Sequence, residues 1–184
     1  MSSVDLWLIY IKKRTRDATR KAYPPSDSMR PNPPIANPEK YLRDAITDAY
    51  KKTLDVAYSI PNCHLLWRRY LTHVRSWNLT ITNVEDPNNP TATTTTIPDP
   101  ILANEQMLLL RKIYQTIIAT PMPNLEDYWR EYEQFERNLS DVLAQVLLTE
   151  HLPSYQHARG VYLERVAYIN ATSSTSQTST TAAA

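Results

Sequence analysis

Asn124-Leu125-Glu126-Asp127-Tyr128-Trp129-Arg130-Glu131-Tyr132-Glu133-Gln134-Phe135-Glu136 is the stretch that decides the fold. Leu125, Tyr128, Trp129, Tyr132 and Phe135 recur at the i, i+3, i+4, i+7 intervals of one helix face, so the segment predicts an amphipathic helix. At its centre is a Trp-x-x-Tyr pattern, Trp129-Arg130-Glu131-Tyr132. The pattern also stands at Trp67-Arg68-Arg69-Tyr70 and at Trp7-Leu8-Ile9-Tyr10, at intervals of 62 and 60 residues. An aromatic pair at i,i+3 lies on one side of a helix. Three copies at a near-constant interval predict one structural unit used repeatedly: an all-α, right-handed helical-repeat solenoid of about three helix pairs.

The unit extends beyond the motif. Five residues before each Trp stand Ser2, Asn62 and Asn124, residues whose side chains can accept a hydrogen bond from a helix's first free N–H groups. Pro61 and Pro123 precede the second and third of these and hold the chain extended. Asp127, three residues after Asn124, makes a variant of the capping box. The first two copies continue in helical register through Ile11 and through Leu71 and Val74.

A second helix is expected after each first one. One runs from about Pro38 to Tyr58, with Leu42, Ala45, Ile46, Ala49, Thr53 and Leu54 inward. Another runs from about Ile101 to Ala119, with Leu102, Gln106, Leu109, Ile113 and Ile117 in register. The third is expected to be interrupted at Pro153, with Val142, Leu143, Val146 and Leu147 before it and Ala158, Val161, Tyr162 and Val166 after. Tyr50, Tyr114 and Tyr162 are the equivalent tyrosines of these second helices. The Pro-rich residues 24–38 and the Pro/Asn/Thr-rich residues 83–100 are read as insertions between paired helices. Residues 1–170 then form one repeat domain, and the Ser/Thr/Ala tail 171–184, without an apolar pattern, is expected to be disordered.

Composition narrows the function. One glycine against 14 prolines argues against β-hairpins and against glycine loops for phosphates, which removes the commonest cofactor classes. No cofactor is expected. The formal net charge of +1 is too balanced for a general nucleic-acid binder. Lys12, Lys13, Arg14, Arg16, Arg20 and Lys21 are a local basic cluster. It reads first as the solvated end of a helix and second as a nuclear-import or RNA-contact patch. Glu126, Asp127, Glu131, Glu133 and Glu136, interleaved with Arg130 and Arg137, read as a solvated face.

Cys63 is the only cysteine, so no internal disulfide forms, and an intracellular setting is expected. No run approaches the length of a transmembrane helix, and no membrane role is expected. The triplets at Asn78, Asn138 and Asn170 match the glycosylation pattern by chance in such a setting. His64, His73, His151 and His157 lack metal-ligand spacing, so no metal site is expected. Adjacent Cys63 and His64 point to different helix faces, which leaves Cys63 a packed thiol rather than a nucleophile. The carboxylates lie in polar faces and form no acid–base pair. No catalytic residue emerges. The aromatic stripe reads as core packing rather than a base-stacking platform.

A two-helix unit with Trp-x-x-Tyr on its first helix resembles the half-a-tetratricopeptide repeat. The stretch from Asn124 to Phe135 and Glu136 is similar to the signature of the suppressor-of-forked family, the large scaffold subunit of cleavage stimulation factor or of cleavage factor I in yeasts. Pro153-Ser154-Tyr155-Gln156-His157-Ala158-Arg159 resembles that family's next motif. Ile101 to Pro121, with Arg111 and Tyr114, resembles its preceding helix. Val4-Asp5-Leu6-Trp7 and Leu66-Trp67-Arg68-Arg69-Tyr70 fit its opening repeats, which would fit splicing relatives nearly as well.

The repeat signature is therefore Trp7, Tyr10, Trp67, Tyr70, Trp129, Tyr132, Phe135, Tyr155, Ala158 and Arg159. The resemblance implies a non-catalytic protein–protein scaffold in pre-mRNA 3′-end cleavage and polyadenylation, nuclear, with the cytoplasm open as a second location. Its partners are other subunits of that machinery, and RNA contact is indirect. A splicing scaffold, or an RNA-binding module using Lys12 to Lys21, is the alternative. Family members are much longer, and this chain looks like an N-terminal fragment or truncated product, so dimerisation is not carried over. Ile9 and Arg69 depart from the acidic residue that often precedes the motif tyrosine, whereas Glu131 fits.

Overall fold

The structure is a computed structural model that describes residues 3–25, 35–57, 60, 62–84 and 94–178. Among them are six helices: α1 (Ser3–Ala22), α2 (Pro38–Ala57), α3 (His64–Arg75), α4 (Pro100–Ile118), α5 (Leu125–Leu139) and α6 (Asp141–Thr178). Each Trp-x-x-Tyr lies on an odd-numbered helix, and each is followed by its even-numbered partner. The all-α helical-repeat reading holds, with one addition, a two-stranded ribbon. The chain packs as two compact units, residues 1–112 and 113–184, and the boundary falls inside α4.

The helix starts differ from the expectation in an instructive way. α3 starts from Cys63 and α5 from Asn124, and neither start has a side-chain capping hydrogen bond. Asn62 and Asn124 instead take left-handed backbone conformations, φ 67° and 60°. Asparagine tolerates that region better than other side chains bearing a Cβ. From there each backbone carbonyl accepts an N–H of the first helical turn, Asn62 from Leu65 at 3.0 Å and Asn124 from Asp127 at 3.1 Å. The repeated asparagine therefore serves a sharp turn, not a cap. Ser2 and Pro61 lie outside the described residues.

Side-chain caps occur at the even-numbered helices. Asn37 Oδ1 accepts from Lys40 N at 2.9 Å. Asp99 Oδ1 accepts from Ile101 N and Leu102 N, both at 3.0 Å. Ser140 Oγ accepts from Leu143 N at 3.4 Å. Pro38 and Pro100 follow the first two caps, at the helical position where a missing N–H costs nothing.

In the first unit, α1 buries Val4, Ile11, Ala18 and Ala22, and α2 buries Ala49, Tyr50, Thr53, Leu54 and Ala57. The small residues let the two backbones approach. α3 buries Leu66, Trp67, Tyr70, Leu71 and Val74. Gln106 on α4 is the polar member of an inward stripe because its Nε2 donates to the Val74 carbonyl at 2.7 Å, near the end of α3 where carbonyls lack helical partners. Leu110, rather than the expected Leu109, is the buried leucine there.

Between α3 and α4, β1 (Thr80–Val84) pairs antiparallel with β2 (Thr94–Pro98), Thr82 opposite Thr96. Scarce glycine predicted no hairpin. That reasoning applies to two-residue turns; here residues 85–93 separate the strands, and a long connection needs no positive φ. Threonine's β-branched side chain suits a strand. Residues 85–93, like 26–34 of the other insertion, lie outside the described residues.

In the second unit, Leu125, Tyr128, Tyr132 and Glu136 form the buried face of α5. α6 is one continuous helix with Pro153 inside it, so the expected interruption does not occur. Proline removes one backbone hydrogen bond and disfavours a helix interior by about 3 kcal/mol. Packing on α5 to either side, through fully buried Ala144 and Ala158, offsets this cost. α6 also continues through residues 171–178 of the expected unstructured tail; residues 179–184 lie outside the described residues.

Candidate docking groove

The motif tyrosines and tryptophans have separate positions. Tyr70 stacks on Tyr50 of α2 with ring centroids 5.0 Å apart, and Tyr132 lies 5.9 Å from Tyr114 of α4. Each motif tyrosine thus meets the tyrosine of the helix before it, and both are buried, at 2% and 0% exposure. Tyr10 and Tyr162 are half-buried. Trp67 is buried, while Trp7 and Trp129 are half-buried. Trp7 meets Tyr10 edge-on at 6.0 Å, and Trp129 stacks on Tyr155 of α6 at 4.6 Å. Phe135 lies 5.6 Å from Tyr114. Arg159 is exposed and donates from Nε to Glu126 Oε1 at 2.7 Å, an ion pair from α6 to α5. That hydrogen bond holds the Glu126 carboxyl below its usual range.

The acidic face of α5 is only partly solvated. Glu133 pairs with Arg137 at 2.8 Å and Asp127 with Arg130 at 3.4 Å. Glu131 Oε2 accepts from the Tyr114 hydroxyl at 3.2 Å, and Glu136 is buried, contrary to its expected exposure. Cys63 is buried and free, and burial pushes its thiol up. Burial pushes His64 and His73 down from their ordinary value, with Arg68 adding to the effect at His64. His73 lies against Tyr50 and accepts from the Trp77 indole N–H at 3.5 Å, which requires a neutral Nε2. Among the described residues no group of three or more His, Cys, Asp or Glu is placed to hold a metal ion. No described helix is long and apolar enough to cross a membrane.

The basic cluster presents a different surface. Lys12, Lys13, Arg14, Arg16, Arg20 and Lys21 are all exposed along α1. Lys12, Lys13 and Arg16 border a groove of about 830 Å³, together with Arg69 from α3. Leu8, Ile9 and Ile11 of α1 and Tyr50 of α2 supply its apolar lining. Arg14, Arg20 and Lys21 are not among the lining residues. None of the lining residues is acidic, and none of the four cations pairs with a carboxylate among the described residues. Ile9 is 50% exposed, so an apolar side chain faces solvent beside the cations. The linear sequence shows Lys12 and Arg16 as a cluster but gives no reason to join them to Arg69, which stands in the next repeat's motif. Ile9 and Arg69 are the two motif positions that depart from the acidic pattern; that departure was the available signal.

The fold is that of an all-α helical-repeat protein of the half-a-tetratricopeptide kind. The model of the suppressor of forked protein family matches residues 1–182. The chain belongs to that family. Cleavage stimulation factor subunit 77 of Arabidopsis thaliana is 43% identical over 60 residues, 33% of this chain and 8% of that protein. The mRNA 3′-end-processing protein rna14 of Emericella nidulans is 28% identical over 164 residues, 88% of this chain and 12% of that protein. The crystal structure of CstF-77 matches with a TM-score of 0.57 over 92% of this chain and 27% of that one; at 16% identity this likeness shows the fold. The chain thus spans a small part of the length of these relatives.

Proposed function

We propose that the chain is a non-catalytic protein–protein interaction scaffold in pre-mRNA 3′-end cleavage and polyadenylation, working in the nucleus with other subunits of that machinery. The family match over residues 1–182 carries this reading. The relatives' names support it, since they are processing-factor subunits and none is named for a catalytic activity. The physical form agrees: paired helices spend their aromatic residues on packing and leave the outer faces to partners. RNA contact is indirect in this reading.

Affinity purification of the tagged chain from nuclear extract, with nuclease treatment and mass spectrometry, tests it. Cleavage and polyadenylation factors that persist after nuclease are the expected result. Recovery of splicing components alone, or of partners that vanish with nuclease, would refute it.

A further inference from the structure

We propose that the groove between α1 and α3 docks an acidic amphipathic peptide segment of a partner protein, which sets aliphatic side chains on Leu8 and Ile9 and carboxylates toward Lys12, Lys13, Arg16 and Arg69. This deepens the scaffold reading and rests on it, because it names the chemistry of one partner.

Charge is the first ground. Four cations from two helices border one groove, and none of its lining residues is acidic. Uncompensated like charges around a concave, partly apolar surface focus a positive potential and select an anionic partner. The second ground is the lining. Leu8 and Ile9 offer aliphatic surface, Leu8 half-buried and Ile9 half exposed. A purely ionic ligand leaves that surface in water, whereas an amphipathic helix or strand with aliphatic anchors covers it. A volume of about 830 Å³ is ample for several side chains.

Single-stranded nucleic acid fits less well. Base stacking needs an open aromatic face. Tyr50, the only aromatic residue of the lining, is 7% exposed, and its ring lies against Tyr70 and His73. The remaining lining is aliphatic or cationic apart from Thr15.

The test is selection from a random peptide library displayed on phage, followed by fluorescence anisotropy of the selected peptides against the full chain. The expected peptides carry Asp or Glu flanking aliphatic residues at helical or strand spacing. Lys12→Glu and Arg69→Glu should each weaken their binding about tenfold at low salt and less at high salt. Ile9→Asp should weaken it similarly. All three residues are exposed, and unchanged far-UV circular dichroism with an unchanged urea midpoint checks that the variants fold. No enrichment, enrichment without acidic residues, or binding indifferent to all three substitutions overturns the proposal. Binding of oligouridine, lost on charge reversal, with no peptide selected also overturns it, in favour of nucleic acid.

Purification with the Lys12→Glu/Arg69→Glu chain separates the two readings. Negative selection with processing factors still recovered sinks the groove and leaves the scaffold. Positive selection with no processing factor recovered by the wild-type chain does the reverse.

Discussion

Tyr70 and Tyr132 occupy the same place in successive repeats, yet removing their hydroxyls should shift stability in opposite directions. Tyr70 is 2% exposed, and its ring stacks on Tyr50, but its hydroxyl is buried with no hydrogen-bond partner. Burial accordingly pushes its phenol up. Tyr132 is 0% exposed, and its hydroxyl accepts from Gln115 Nε2 at 3.3 Å. A buried polar group left unsatisfied costs about 1–3 kcal/mol, so Tyr70→Phe, which keeps the ring and deletes the hydroxyl, should stabilise by about 1 kcal/mol. Tyr132→Phe should destabilise by about 0.5–1 kcal/mol, toward the low end because the hydrogen bond is long. With a urea m-value of about 2 kcal/mol/M, the two variants' midpoints should separate by roughly 1 M, one on each side of wild type. Far-UV circular dichroism in urea measures this. Equal losses at both positions, or a larger loss at Tyr70, would refute the reasoning, because the Tyr70 hydroxyl would then have a partner that stabilises it.

Three further outcomes follow from the helix starts, the long helix and the histidines. Asn124→Gly should leave stability within about 0.3 kcal/mol, while Asn124→Ser should lower it by about 1 kcal/mol; serine is a good cap but a poor left-handed residue, so an unchanged urea midpoint for the serine variant would restore the capping role. Pro153→Ala should stabilise by about 1–3 kcal/mol in the same assay, because it restores a hydrogen bond to an existing helix; a loss would show that proline's ring is needed there. Burial lowers the folded-state pKa of His64 and His73 below the ordinary 6.5. As pH falls through 6.5, the unfolded chain therefore takes up protons that the folded one refuses, and stability declines as the pH drops further toward the lowered folded-state values. His73→Phe should flatten part of this slope in pH-dependent urea melts, and an unaltered slope would assign the effect to other groups.

The repeat was legible because it depends on local chemistry. Trp67 and Trp129 are fixed at i,i+3 from their tyrosines by helix geometry, and α2 and α4 fell within a residue of their expected starts. The misreadings have equally local causes. Asparagine serves both caps and left-handed turns, and only the backbone dihedral angle distinguishes the two at Asn62 and Asn124. A proline inside a helix breaks it unless neighbouring packing compensates, and the contribution of α5 at Pro153 is not a property of the α6 sequence. Glu136 reads as one more surface acid, although the helical face that places Leu125, Tyr128 and Tyr132 in the core also takes Glu136 there.

The sequence by itself determined the helical class, the pairing of α1 with α2 and of α5 with α6, and the family, since each rests on periodicity and on motif residues near one another in the chain. Tertiary structure decided which aromatic residues are core. It stacked Tyr50 on Tyr70 and Trp129 on Tyr155 while leaving Trp7 half exposed. It also decided the groove, where Ile9 and Lys12 of α1 line the same surface as Arg69 of α3. Helix propensity and amphipathic pattern act over one or two turns, whereas juxtaposition across repeats depends on how whole helices pack, and no local pattern records that.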